Sequence, residues 1–129
     1  MIIKNRHSLD RSVFRRRALD IIETGIAAVM PDNVMKAALG YDANERSIKI
    51  CGQGFEVGGR LFVIGGGKAS GAMARALEDI VGPDTITAGV VNCKQESYNT
   101  AKIQIVAAGH PLPDENGMRG VRAMLALKE

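Results

Sequence analysis

Leu9, Val13, Ala18, Ile22, Ile26 and Val29 recur at three- to five-residue steps with charged residues between them, the period of an amphipathic helix. Ser8 stands where an N-cap belongs, and the run ends before Pro31. Pro31 also suits the opening of a second short helix over 32–39, with Gly40 as its C-terminal stop. The period then changes to two. Ile48 and Ile50, followed by Phe55 and Val57, alternate about Gly52-Gln53-Gly54, which predicts a small hairpin that covers the domain without forming its core.

Leu61-Phe62-Val63-Ile64 is a continuous apolar run, the pattern of a strand buried on both faces, and it leads directly into Gly65-Gly66-Gly67-Lys68. Ala72, Met73, Ala76, Leu77 and Ile80 then share one helical face, with Gly82-Pro83 as a stop. Strand, glycine turn and helix open a βαβ unit. Residues 86–93 and 103–107 read as two further strands, and Asp114 as the cap of a last helix through Val121 and Leu125. The predicted class is α/β, a Rossmann-like layered sheet with flanking helices. Along the chain 1–129 it divides into N-terminal helices over 8–39, the hairpin at 47–57 and a βαβ-type core over 60–129. The polar link 94–102 is short for a helical crossover between parallel neighbours, so the strand order stays open. The last residues continue a helical pattern without a stop signal, so the chain reads as cut short.

Composition narrows the class. Aromatic residues make up 4% of the chain, so Ala, Val, Ile, Leu and Met must fill the interior. The net charge of +3 is concentrated: the first twenty residues carry +4 and the remainder −1. A nucleic-acid or membrane-surface protein usually spreads its positive charge over a broad face, and no aromatics interleave with Arg11, Arg15, Arg16 and Arg17 to stack bases. The cluster reads as a solvated helix face, and neither a nucleic acid nor a membrane is expected as partner. No apolar run approaches membrane-spanning length, and Asp20 and Glu23 interrupt what a signal peptide would need, which points to the cytoplasm. Cys51 and Cys93 lack Cys-x-x-Cys spacing and a companion histidine, so no metal site is expected and both read as reduced thiols.

The candidate chemistry lies at two turns. Gly65, Gly66 and Gly67 let the backbone turn and expose amide hydrogens, the following helix adds the positive end of its dipole, and Lys68 adds a full charge. Together they suit a phosphate or carboxylate. Ser70 is either a further hydroxyl donor to that anion or a helix residue satisfying backbone; a packing role for the glycines, with Lys68 in solvent, is the plainer alternative. Two named motifs are absent. Ser70 takes the place of the third glycine of a dinucleotide fingerprint, and Phe62 and Ala69 break the pattern of a P-loop. The second turn is Ala108-Gly109-His110-Pro111-Leu112-Pro113-Asp114-Glu115, stiffened by two prolines. His110 there is placed either to orient a polar substrate or to bond backbone, and Asp114 fits a helix cap better than a metal ligand.

Val63-Ile64-Gly65-Gly66-Gly67-Lys68-Ala69-Ser70 with its following helix, then Gly89-Val90-Val91, then the Ala108 to Glu115 segment, together resemble the type 2 glycerate kinases, the 2-phosphoglycerate-forming enzymes of the MOFRL family. Some members of that family have been labelled hydroxypyruvate reductases. The order and spacing of both motifs match, and the resemblance covers nearly the whole chain, as the N-terminal portion of enzymes about three times longer. It implies transfer of the γ-phosphoryl group of ATP to the 2-hydroxyl of D-glycerate with Mg2+, in a cleft between two α/β domains. It carries a catalytic role to Lys68, with Gly65, Gly66, Gly67, Ser70 and His110 as substrate- or phosphate-binding candidates. The alternatives are an NAD(P)H-dependent hydroxypyruvate reductase, which the broken fingerprint disfavours, and a non-catalytic fragment that binds anions or nucleic acid. This chain alone holds one wall of such a site and is expected to be inactive in isolation; a homo-oligomer is compatible with it.

Overall fold

The chain folds, in a computed structural model that describes residues 2–94 and 97–128, as two three-stranded sheets with helices packed around them. A short helix α1 (Arg6–Leu9) precedes α2 (Val13–Ala28) and α3 (Pro31–Ala38). The N-cap of α2 is Ser12, whose hydroxyl accepts from the Arg15 amide at 3.3 Å; Ser8 lies inside α1 and bonds the Asn5 carbonyl. The predicted cap was one helical turn early because both serines precede apolar residues at helical spacing. Pro31 does open α3, but Gly40 does not close it. Gly40 belongs to β1 (Leu39–Asp42), which pairs antiparallel with β2 (Ser47–Ile50), itself paired with β3 (Gln53–Glu56).

The hairpin is therefore the second half of a three-stranded meander, and its base reaches the core. Ile48 and Val57 are buried with Ala74, Val81, Ile86, Val91 and Ile103, while Ile50 and Phe55 at the far end stand in water. The expectation that this hairpin covers the domain without forming its core is amended at Ile48 and Val57. A period of two shows which residues share a face but not what packs on it.

The second sheet is parallel, in the order β4 (Phe62–Gly66), β5 (Ala88–Cys93), β6 (Ile103–Ala107). Helix α4 (Ser70–Val81) joins β4 to β5 and ends at Gly82, whose φ of 79° suits glycine. Val63, Leu77, Ile80 and Ile105 pack around the buried cluster that α4 and the sheet share. The buried residues of α4 are Gly71, Ala74, Ala76, Glu78 and Val81, with Met73 exposed, so the burial departs from the single stripe that periodicity predicted. The helix is sandwiched between the parallel sheet and the layer made by α3 and β1, and Arg75 reaches Asp32 at the start of α3. Helix α5 (Glu115–Ala126) packs on β5 and β6. β4 is an edge strand with Ile64 65% exposed, which corrects its reading as a strand buried on both faces. β5, between two neighbours, is the buried one.

The link 94–102 carries the chain from β5 to a parallel neighbour with no helix among its described residues. Glu78, 7% exposed on α4, holds its end in place. One carboxylate oxygen accepts from the amides of Lys102 and Ile103 at 2.7 and 2.8 Å, and the other from Ala101 at 2.7 Å. Three backbone donors that a helical crossover would satisfy internally are satisfied by one side chain.

Candidate functional site

All three parallel strands deliver their carboxyl ends to the same side of the sheet, the place where open α/β sheets bind ligands. β4 delivers Gly67 and Lys68, β5 delivers Asn92, Cys93 and Lys94, and β6 delivers Ala108, Gly109 and His110. These residues, with Asp114, Gly117, Met118 and Val121, line one cavity of about 340 Å³. The two sequence motifs, more than forty residues apart, thus meet across β5.

Gly65 and Gly66 are not part of the turn. Both belong to β4, opposite Val91 and Asn92, and the turn starts at Gly67, whose φ of 127° excludes ordinary side chains. The Gly67 amide donates to the Asn92 carbonyl at 3.1 Å. Ser70 closes the turn. Its hydroxyl lies 2.7 Å from the Gly67 carbonyl and 2.6 Å from the Asn92 carbonyl, so it ties the start of α4 to both strands. Among the described residues, the amides of Lys68 and Ala69 have no acceptor, and both precede the first turn of α4. Two free donors and a helix N-terminus, beside an exposed lysine, give the positive potential that an oxyanion needs. A second cavity, of about 600 Å³ and mostly apolar, flanks the other side of the same turn, with Met35, Ile64, Met73 and Leu77 in its wall.

Behind Lys68, the Cys93 thiol lies 3.6 Å from the Lys68 carbonyl, and the Cys93 carbonyl accepts from the Ala108 amide at 2.8 Å. One residue of the central strand therefore touches both turns. Cys93 is 2% exposed, whereas Cys51 sits in the exposed turn after β2. His110 is exposed on the loop, and its peptide bond to Pro111 is cis. Asp114 caps α5, accepting from the Gly117 amide at 2.8 Å, as its position predicted. The Gly109 and Gly117 amides hold its carboxyl below the ordinary range, with the larger effect from Gly109.

Two lining residues had no place among the sequence candidates. Asn92 donates from its amide to the Gly117 carbonyl at 2.9 Å, and its side-chain oxygen is buried with no hydrogen-bond partner among the described residues. Lys94 puts a second ammonium group on the cavity wall. Asn92 sits inside an apolar strand, where a carboxamide is out of pattern, and that break was the available signal. Lys94 gave none, since a lysine after a strand is ordinary. Among the described residues no three His, Cys, Asp or Glu side chains gather to hold a metal, and no helix is long and apolar enough to cross a membrane.

Comparison with known proteins agrees with this architecture. The profile of a domain of unknown function, DUF4147, matches residues 17–129. A glycerate 2-kinase of Pyrococcus horikoshii is 36% identical over 118 residues, covering 85% of this chain and 26% of that protein. An Agrobacterium vitis protein with a provisional hydroxypyruvate reductase name is 38% identical over 69 residues, covering 53% of this chain and 16% of its own. A crystal structure from Pyrococcus horikoshii OT3 superposes with a TM-score of 0.76 at 31% identity, covering 88% of this chain and 25% of the other. The chain spans about a quarter of the length of the Pyrococcus relative. The family profile covers most of the chain, and the chain belongs to the DUF4147 family.

Proposed function

We propose that this chain forms one wall of the site of an ATP-dependent kinase that phosphorylates the 2-hydroxyl of D-glycerate and releases 2-phosphoglycerate. The supporting observation is the convergence of the Gly67-Lys68 turn and the Gly109-His110 loop on one cavity at the strand ends. ATP supplies the phosphoryl group, and what a protein adds to such a transfer is position and charge neutralisation. Lys68, with the amides of Lys68 and Ala69, supplies both for an oxyanion at the head of α4. His110 orients the polar acceptor from the opposite loop. The γ-phosphate and the glycerate carboxylate both suit Lys68, and an acceptor lacking the carboxylate distinguishes them: if Lys68 holds that carboxylate, Lys68→Ala raises KM for glycerate but not for that acceptor. Magnesium belongs to the reaction but finds no ligand set among the described residues; among them Asp114 is the acidic residue that lines the cavity, and its Oδ1 accepts from the Gly117 amide. No step is assigned to the metal.

The test is a chimera in which this chain replaces the matching quarter of the Pyrococcus relative. In an enolase-coupled assay it should form 2-phosphoglycerate from ATP and D-glycerate. Lys68→Ala should lower turnover about 10²-fold or more while leaving the melting temperature unchanged, because the side chain is exposed. Equal rates with and without Lys68 would remove it from the mechanism. The name of the Agrobacterium relative favours a second reading, reduction of hydroxypyruvate. That reading requires NADH consumption by the same chimera, and Ser70 in the third glycine position of the fingerprint stands against it.

A further inference from the structure

Lys94 has no part in the motifs of the sequence, yet the fold gives it a place beside Lys68. β4 and β5 run parallel with Gly66 opposite Asn92, and Lys68 and Lys94 each follow that pair by two residues. Adjacent strands lie about 4.8 Å apart. The two lysines therefore leave neighbouring strand ends and line one cavity, which His110 joins from beyond the end of β6. Among the described residues neither ammonium group is paired with an acid. The acidic residue of the same wall, Asp114, is engaged elsewhere, accepting from the Gly117 amide at the head of α5. Two uncompensated ammonium groups in a cavity of about 340 Å³ repel each other, and a small ligand with two anionic groups relieves that repulsion.

The two lysines are not equivalent. Lys68 stands at the head of α4, where its own amide and that of Ala69 are free donors and the helix adds its dipole. Lys94 follows the end of β5, and no helix begins there among the described residues, so it offers a point charge alone. A phosphoryl group, with more oxygens and more charge than a carboxylate, is better served by the richer set of donors. We infer that Lys94 binds the carboxylate of the acceptor, while Lys68 and the amides beside it take the phosphoryl group. This rests on the kinase reading above for its acceptor, and it assigns Lys68 one of the two roles left open there. The ligand class is a small 2-hydroxy acid, whose phosphorylated form carries its two anionic groups on adjacent carbons. An acceptor without the carboxylate leaves Lys94 unpaired, so this residue also sets specificity.

The test replaces Lys94 with methionine, which keeps the length of the side chain and removes its charge; Lys94 is exposed, so the melting temperature should not change. In the chimera with the Pyrococcus relative, Lys94→Met should raise KM for D-glycerate about tenfold or more and leave KM for ATP within about twofold. Lys94→Arg, which restores the charge, should recover most of the loss. An unchanged KM for D-glycerate overturns the assignment, as does a KM for ATP that rises with it. The chain itself is then titrated with D-glycerate and, separately, with inorganic phosphate at constant ionic strength, followed by NMR at the amides of Lys68, Ala69 and residue 94. Glycerate should act at Lys94 and phosphate at Lys68 and Ala69, and Lys94→Met should weaken the glycerate response about tenfold and spare the phosphate response. Should the chimera with Lys94 intact make no 2-phosphoglycerate, the kinase reading falls, and the titration decides the carboxylate site by itself. No glycerate response at Lys94, or one of equal affinity in Lys94→Met, overturns it.

Discussion

Glu78 illustrates how a single side chain can substitute for an element of secondary structure. Its carboxylate, 7% exposed, takes three successive amides at 2.7 to 2.8 Å and thereby closes a crossover that has no helix among its described residues. Glu78→Gln keeps the shape but replaces one acceptor oxygen with a donor that faces another donor. A cost of about 2–4 kcal/mol follows from one lost bond and one unsatisfied amide, read as a shift in the urea midpoint with unchanged slope. Two other carboxylates set the acid behaviour. Asp114 is held low by the Gly109 and Gly117 amides, and Glu23 by the Ile3 amide, with Arg6 and the Ile2 amide adding to it against some burial. For groups depressed in the folded state, the stabilisation is fully present above their unfolded values and is lost as pH falls through the folded ones. Stability should therefore hold from neutrality to about pH 5 and fall below about pH 4, and Asp114→Ser should shallow that acid limb. A urea series from pH 2.5 to 7 reads both.

Among the elements, α5 and β5 show how closely the site and the packing are joined. Asn92 points from β5 to the Gly117 carbonyl, and at Gly120, one turn on, a Cβ would overlap its carboxamide. Gly120→Ala must therefore push α5 off the sheet or turn Asn92 away. The expected outcome is a loss of about 1–3 kcal/mol, with chemical-shift changes at Asn92 and Gly67 that a helix-propensity gain from alanine would not give. An unshifted Gly67 would show that α5 and the glycine turn are uncoupled. The helices and strands themselves were largely legible from periodicity: α4, α5, β5 and β6 lie where the pattern placed them. The departures occur where two signals of equal strength stood close together. Ser8 and Ser12 both fit a cap, and Gly40 fits a helix stop as well as a strand, and only the pairing of Gly40 with Lys49 decides the latter.

For the whole molecule, the arginine cluster can be judged by its partners. Arg6 bonds Asp20 and Glu23, and Arg16 bonds Asp10, so part of the basic charge is met within the N-terminal helices. A surface neutralised in this way should bind a generic DNA duplex weakly at 150 mM salt, with no loss when Arg11, Arg15 and Arg17 are replaced by glutamine. Steeply salt-dependent binding that these changes abolish would restore the polyanion reading. The edge position of β4 likewise belongs to this scale. Ile64 is exposed on the edge strand of the parallel sheet, which no property of residues 61–64 could have announced.

Local chemistry determined the α/β class, the cap at Asp114 and the two turns that line the cavity, because glycine, proline and apolar period act over a few residues. Tertiary structure alone decided that those turns face each other, that Gly65 and Gly66 stay in the strand, and that Asn92, Lys94 and Glu78 matter. Parallel pairing through β5 made that decision: it brings distant strand ends to one edge, and only there does a buried carboxamide or carboxylate meet the backbone groups that give it a role.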